Sequence, residues 1–287
     1  MTQSNIILLA TYWNERDWIE PSLKQIKVID PVEAIICDGC FDPSKKNRST
    51  DGTRERIKEF VTDNSHYKMV SARRPNSITG VMSVFRGYTA QPLRSILKPA
   101  RWQSTWRAAQ VVAYRRNQAL TFQHMIDESD HWKPGRWFMT YDADQFYSDS
   151  MLDAFKLTSE EIEADLLTGD ELTFFTSFDE YTSGYESRIY NNMPHRIKSD
   201  TSIRPTRDII LENGLLPTSV FESSYYVDNV NSKHVGEYFH YKIPLESPER
   251  FKKGYELGDR EMPDIDSYDL QPYQGSHPTI IKNIWSK

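Results

Sequence analysis

Ile6-Ile7-Leu8-Leu9-Ala10-Thr11 is a continuous apolar run, with Asn5 before it and the polar stretch Tyr12-Trp13-Asn14-Glu15 after it. A strand with one wet face alternates apolar and polar residues, so an unbroken run reads as a strand covered on both faces, as in a parallel sheet. The pattern repeats downstream. Asp17 is placed to cap a helix through about Val28, with Trp18, Ile19, Leu23 and Ile26 on one face. Ala34 to Cys37 gives a second strand, Ser49-Thr50-Asp51-Gly52-Thr53 leads into a helix from Arg54 to Val61, and Lys68 to Ser71 gives a third strand. This alternation predicts an α/β fold with a mainly parallel central sheet flanked by helices and ligands at the carboxyl ends of the strands.

A second run, Trp137-Phe138-Met139-Thr140-Tyr141, ends in Asp142-Ala143-Asp144 and a polar turn from Gln145 to Asp149. If the run is a strand, alternation sends Asp142 and Asp144 to the same side. There they can grip one hard divalent cation and, through it, a diphosphate. An isolated Asp-x-Asp is also an ordinary solvated strand end, so the rest of the chain has to decide. Three loops follow predicted strands, Tyr12 to Arg16, Asp38 to Thr53 and Asp142 to Asp144, and are expected to converge on one edge. Further on, Asp165 to Phe175 reads as a strand, Ser187 to Ile197 as a hairpin or edge-strand pair, and Val235 to Lys242 as a last strand. A helix is expected around Ala108 to Glu128. The segment before it, about 72–107 with Trp102 and Trp106, is too long for a plain connector and reads as a lid or docking surface. The tail from Pro244 has no clear periodicity. The expected organisation is one domain over 1–243 with a C-terminal extension, 244–287, packed on it.

The net charge of -6 argues against a nucleic-acid partner, yet charge is unevenly spread. Asn64 to Ile126 contains no Asp or Glu but holds Lys68, Arg73, Arg74, Arg86, Arg94, Lys98, Arg101, Arg107, Arg115 and Arg116. Such a bias suggests a field aimed at an anion, unless these cations pair with distant carboxylates. Cys37 and Cys40 form a Cys-x-x-Cys with no further cysteine to complete a zinc site, and the pair does not open a helix. A reducing, cytoplasmic setting is expected. No window approaches the roughly 20 apolar residues of a membrane span, and no signal peptide is visible.

With these residues in place the chain resembles a glycosyltransferase of the GT-A fold, a Rossmann-like nucleotide-diphospho-sugar transferase, close in pattern to family 2 of inverting enzymes. Four features carry the resemblance. Ala10-Thr11-Tyr12-Trp13-Asn14-Glu15 is similar to the loop that meets the nucleotide. Asp38 with Ser49-Thr50-Asp51-Gly52-Thr53 resembles the family's Asp-x-x-Ser-x-Asp-Gly-Thr element, with Gly39 to Arg48 intervening. Arg116-Asn117 resembles its Ala-Arg-Asn, with Arg115 in place of the alanine. Asp142-Ala143-Asp144 resembles the motif that holds Mn²⁺ or Mg²⁺.

The resemblance implies roles. Thr11, Tyr12, Asn14, Glu15, Asp38, Asp51, Arg116, Asp142 and Ala143 would line the donor, a UDP- or GDP-type nucleoside-diphosphate sugar, with Asp38 accepting from the base. Asp144, Asp142 and His240 would hold the metal. An inverting enzyme needs a carboxylate to take the acceptor's proton, for which Asp170 and Glu171 are the first candidates and Glu222 and Asp228 the rivals. Arg188 would contact acceptor or diphosphate. The acceptor would be a hydroxyl of a glycan, lipid or protein. A sugar nucleotidyltransferase would need a Gly-rich loop where Tyr12 to Arg16 has none. The alternatives are a phosphatase using the Asp-x-Asp pair and a non-catalytic nucleotide- or glycan-binding protein on a transferase scaffold.

Overall fold

The apolar run near the N-terminus is a central strand. In the computed structural model, which describes residues 3–81, 99–159, 162–175, 177–183, 192–197, 231–242 and 269–285, β1 (Ser4–Tyr12) pairs in parallel with β2 (Pro31–Asp38). β2 pairs in parallel with β3 (Tyr67–Ser71), and on its other side β1 pairs in parallel with β4 (Trp137–Asp142). Residue parity explains why the run is unbroken. Ile6, Leu8 and Ala10 enter one core, shared with α1 (Ile19–Ile29) and α2 (Thr53–Thr62) through Leu23, Ile26, Ile57 and Phe60. Ile7 and Leu9 enter a second core, shared with α3 (Pro99–Asp127) through Phe122, Met125 and Ile126. Each buried Ile, Leu, Phe or Met side chain here contributes ~1.5–3 kcal/mol through burial, so a polar residue on either face would be costly.

Asp17 does not cap α1. Trp18 occupies the cap position without a side-chain cap bond, and Glu15 O accepts from Trp18 N at 3.0 Å and Ile19 N at 2.8 Å. The turn absorbs the residues expected to be helical because burying Trp18, stacked on Tyr241 at 5.5 Å between ring centres, fixes the entry of the chain.

The other half of the sheet is mixed. It is built from β5 (Gln145–Tyr147), β6 (Leu166–Phe174), β7 (Glu180–Ser183), β8 (His195–Arg196), β9 (Ser232–Tyr241) and β10 (Gln271–Pro272), with α4 (Asp149–Lys156) between β5 and β6. The strand order is β10-β7-β6-β8-β4-β1-β2-β3, with β9 pairing in parallel with β6 and antiparallel with β5. Within Ser187 to Ile197, the described part is not an edge strand: β8 lies antiparallel between β4 and β6. A two-residue bridge carries no periodicity; its neighbours impose it.

The tail also forms structure. β10 pairs with β7, and α5 (Thr279–Trp285) follows His277, whose ring bonds the Tyr241 hydroxyl at 2.7 Å and Phe178 O at 2.9 Å. The aromatic surface of Phe174, Phe178 and Tyr241 recruits Tyr273 and His277, a tertiary attraction that short irregular sequence does not advertise. Cys37 and Cys40 are free and buried, and burial pushes the Cys40 thiol up to about 11, so neither is poised as a thiolate. Among the described residues no helix is long and apolar enough to cross a membrane. Arg86, Arg94, Lys98, Arg188, Glu222 and Asp228, and the side chains of Arg101, Trp102 and Arg107, lie outside the described residues; Trp106 is exposed on α3.

Candidate functional site

The carboxyl ends of four strands are level. Tyr12 lies opposite Asp38, Asp38 opposite Ser71, and Thr11 opposite Asp142. The three loops therefore share one edge, as expected. From β1 the chain builds outward to β2 and β3 on one side and returns to β4 on the other, so β1 and β4 form the topological switch point where open α/β sheets leave a crevice. Asp142 is exposed there. Its Oδ1 lies 3.5 Å from Thr11 Oγ1, and its Oδ2 accepts from Asn192 Nδ2 at 3.1 Å.

The loops after β1 and before α2 are tied together by short polar bonds. Asn14 N donates to Ser49 Oγ at 2.9 Å, Thr50 N to Asn14 Oδ1 at 2.9 Å, Glu15 N to Thr53 Oγ1 at 2.8 Å and Arg16 N to Asp51 Oδ2 at 3.0 Å. Asn14 has φ 56°, a left-handed conformation that Asn tolerates better than most residues. Tyr12 and Asp38, both expected to line the donor, are buried. The Tyr12 hydroxyl lies 2.8 Å from Ser22 Oγ, and Asp38 is fully buried, accepting from Ser49 N at 3.1 Å and Arg54 Nη1 at 2.6 Å. Tyr12 ties the end of β1 to α1 through Ser22, and Asp38 holds the loop before α2 through Ser49. Backbone N–H groups in short turns need acceptors, and Asp38 supplies one to Ser49 N. Ala143 packs in the core, and Glu15 is half-buried beside the loop junction.

On α3, Asn117 is fully buried and binds both neighbouring loops, donating to Phe41 O at 3.0 Å and Asn76 O at 3.1 Å and accepting from Asn76 N at 3.0 Å. Of the cations in the acid-free stretch, Lys68 pairs with Glu33 and Asp130, and Arg74 donates to the carbonyls of Asp42 and Lys45. Arg116 differs: its Nε is buried with no hydrogen-bond partner among the described residues, as is Trp13 Nε1. An orphaned buried donor costs about 1–3 kcal/mol, which a ligand acceptor would recover.

The strongest electrostatics lie beyond β4. Alternation stops at Asp142, because Ala143 and Asp144 form a turn into β5, so the two carboxylates have different partners. Asp144 Oδ2 lies 3.1 Å from Lys242 Nζ and Oδ1 lies 3.5 Å from His240 Nε2. His240 Nδ1 meets Glu171 Oε1 at 2.9 Å, and Glu171 also accepts from Thr173 at 2.7 Å and Tyr238 at 3.1 Å. Two carboxylates and two cations thus balance in a largely buried cluster. Burial alone would raise the Asp144 pKa, but Lys242 and His240 outweigh it and hold the carboxyl well below its usual range. Burial and Lys242 would lower His240; the charge of Asp144 and its hydrogen bonds to Asp144 and Glu171 prevail and push it up to about 9.

Parity separates the two acceptor-side candidates. Glu171 and Thr173 face Tyr238 and His240 on the adjacent strand, whereas Asp170 is exposed elsewhere beside His234, 3.1 Å away. Glu171 ties down the His240 ring through Nδ1. Two members of the site were missed from sequence, Asn192 and Lys242. Lys242 had a readable signal, since it follows His240 by two residues at the end of a strand.

Among the described residues no group of three His, Cys, Asp or Glu side chains could hold an ion by itself. Asp144 and His240, once its Nε2 gives up the proton that faces Asp144, nonetheless suit a hard divalent ion that takes its remaining ligands from a diphosphate and water, the usual habit of Mg²⁺ in phosphate sites. Glu171 on Nδ1 is the outer carboxylate that orients a metal-bound imidazole. The sequence matches no protein-family model and no curated protein.

Proposed function

We propose that the chain is a metal-dependent GT-A glycosyltransferase that binds a nucleoside-diphosphate sugar at the β1/β4 edge and transfers the sugar, with inversion, to a hydroxyl acceptor. The observation that carries this reading is the exposed Asp142 beside Thr11 at the switch point, one turn before the Asp144, His240, Glu171 and Lys242 cluster. It is supported by the unpartnered donors Trp13 Nε1 and Arg116 Nε, which suit an anionic or carbonyl-rich ligand.

The chemistry follows from charge. As the glycosidic bond breaks, negative charge grows on the leaving diphosphate, so cations fixed beside it lower the barrier more than they stabilise the ground state. Asp144 and His240 would hold Mn²⁺ or Mg²⁺, which supplies that charge when bound. Glu171 holds the His240 ring so that Nε2 faces Asp144, and Arg116, whose buried Nε lacks a partner among the described residues, would add positive charge from α3. Calorimetric titration of UDP and GDP, with and without Mn²⁺, tests the reading with Asp142→Ala and Asp144→Ala as controls. One nucleotide should bind in a metal-dependent way and lose at least tenfold in affinity in both variants. Absence of binding by either nucleotide would refute the proposal, and binding without sugar transfer to any hydroxyl acceptor would favour the non-catalytic scaffold.

A further inference from the structure

Lys242 is built into its position from both sides. Its backbone N donates to Phe174 O at 2.8 Å, and the preceding Tyr241 N donates to Asp144 O at 2.8 Å, so the strand end that carries Lys242 is tied to the turn that carries Asp144. The ammonium then returns to the Asp144 carboxylate at 3.1 Å, with both side chains about one-fifth exposed, 22% and 18%. The other Asp144 oxygen faces His240, whose ring is tied to Glu171 on its far side. Both oxygens that a metal would use are therefore covered by the chain's own groups. Of the two, only the lysine has a long, flexible stem.

A divalent ion and an ammonium on one carboxylate weaken each other's binding, because their like charges repel in a partly desolvated site. A diphosphate changes the balance. Its oxygens offer the ammonium a second anion at the same edge, so Lys242 can leave Asp144 without losing its counter-charge.

Resting on the function proposed above, we infer that Lys242 and a divalent ion are alternative occupants of Asp144, and that the donor's diphosphate takes over Lys242 and so opens the aspartate to the metal. Metal and nucleotide binding are then positively coupled through this one side chain, and coupling is reciprocal by linkage. Lys242 becomes a diphosphate-binding residue of the loaded site.

The test is a Mn²⁺ titration of wild type, Lys242→Met and Lys242→Arg, reading free Mn²⁺ by electron paramagnetic resonance, in the absence and presence of saturating UDP or GDP. Circular dichroism and melting curves confirm that each variant is folded. Lys242→Met should bind Mn²⁺ alone about tenfold more tightly than wild type, and the tightening of Mn²⁺ by nucleotide should shrink at least fivefold. Lys242→Arg, which keeps the charge, should behave as wild type without nucleotide. Unchanged or weaker Mn²⁺ binding in a folded Lys242→Met overturns the competition. Unchanged nucleotide coupling overturns the hand-over to the diphosphate. If neither nucleotide binds wild type while Lys242→Met still tightens Mn²⁺, the competition stands and the donor assignment falls; if nucleotide binds and Lys242→Met changes nothing, the reverse holds.

Discussion

The two sides of the β1 edge use polar residues in opposite ways. On the β2 side, Asn14, Ser49, Asp51, Thr53, Asp38 and Asn117 spend their hydrogen bonds on one another's loops. On the β9 side, Asp144, His240, Glu171 and Lys242 concentrate full charges in a largely buried cluster. Neutral loop staples satisfy backbone groups that would otherwise be orphaned, so architecture alone explains them. A buried set of four charges is a poor way to gain stability, because desolvation offsets much of the mutual attraction. The lesson is that a motif-like polar residue on the first side need not touch ligand, while the second side asks for a functional reason.

If that contrast holds, substitutions on the β2 side move stability, and those at Asp142 and Asp144 move ligand binding. The largest effect is expected for Asp38→Ala, which strips both Arg54 and Ser49 N of a fully buried acceptor. Loss of one partner of such a pair costs ~3–5 kcal/mol, read as a lower midpoint in urea unfolding. A loss below about 1 kcal/mol would erase the distinction drawn for that loop.

Next comes the pH profile of the metal-free protein. His240 has its pKa raised from 6.5 to about 9, so its contribution is fully present below pH 6.5 and is lost as pH rises through about 9. The loss should be on the order of 3 kcal/mol across that window, and His240→Gln should flatten it. Equal slopes for wild type and variant would show that the cluster does not hold an imidazolium.

A smaller effect is expected at Gly52, which caps α2 with φ 96°. Gly52→Ala finds open space for its Cβ but an unfavourable backbone, costing ~1–2 kcal/mol in thermal or urea melts. The smallest is Asp142→Ala, whose side chain is exposed; stability should change by less than about 1 kcal/mol while nucleotide affinity falls. A large destabilisation instead would move Asp142 into the architectural class with Asp38.

Much of the first half of the fold was legible because its signals are local. Ile6 to Thr11 and Trp137 to Tyr141 are apolar on successive residues since both faces are covered, and Asp142 stands at the next position. The edge that gathers Thr11, Asp38 and Asp142 followed from those strands. Less legible were residues whose role depends on a distant partner. The Tyr12 hydroxyl meets Ser22 in the core, and Asp38 meets both Arg54 and Ser49, partners that lie 10 to 16 residues on and that no local pattern marks. Asn192 reaches Asp142 across a long separation in sequence, and Lys242 acquires meaning only when Asp144 lies beside it.

By itself the sequence determined the α/β alternation, the central place of β1 and the edge on which its loops meet, because apolar periodicity and turn chemistry act within a few residues of themselves. Tertiary structure alone decided that β8 runs between β4 and β6, that Asp142 and Asp144 part company at a turn, and that Glu171, His240, Asp144 and Lys242 form one charged cluster. Those outcomes rest on contacts between segments far apart in the chain. Their energies come from burial and charge pairing that exist only once the sheet has assembled.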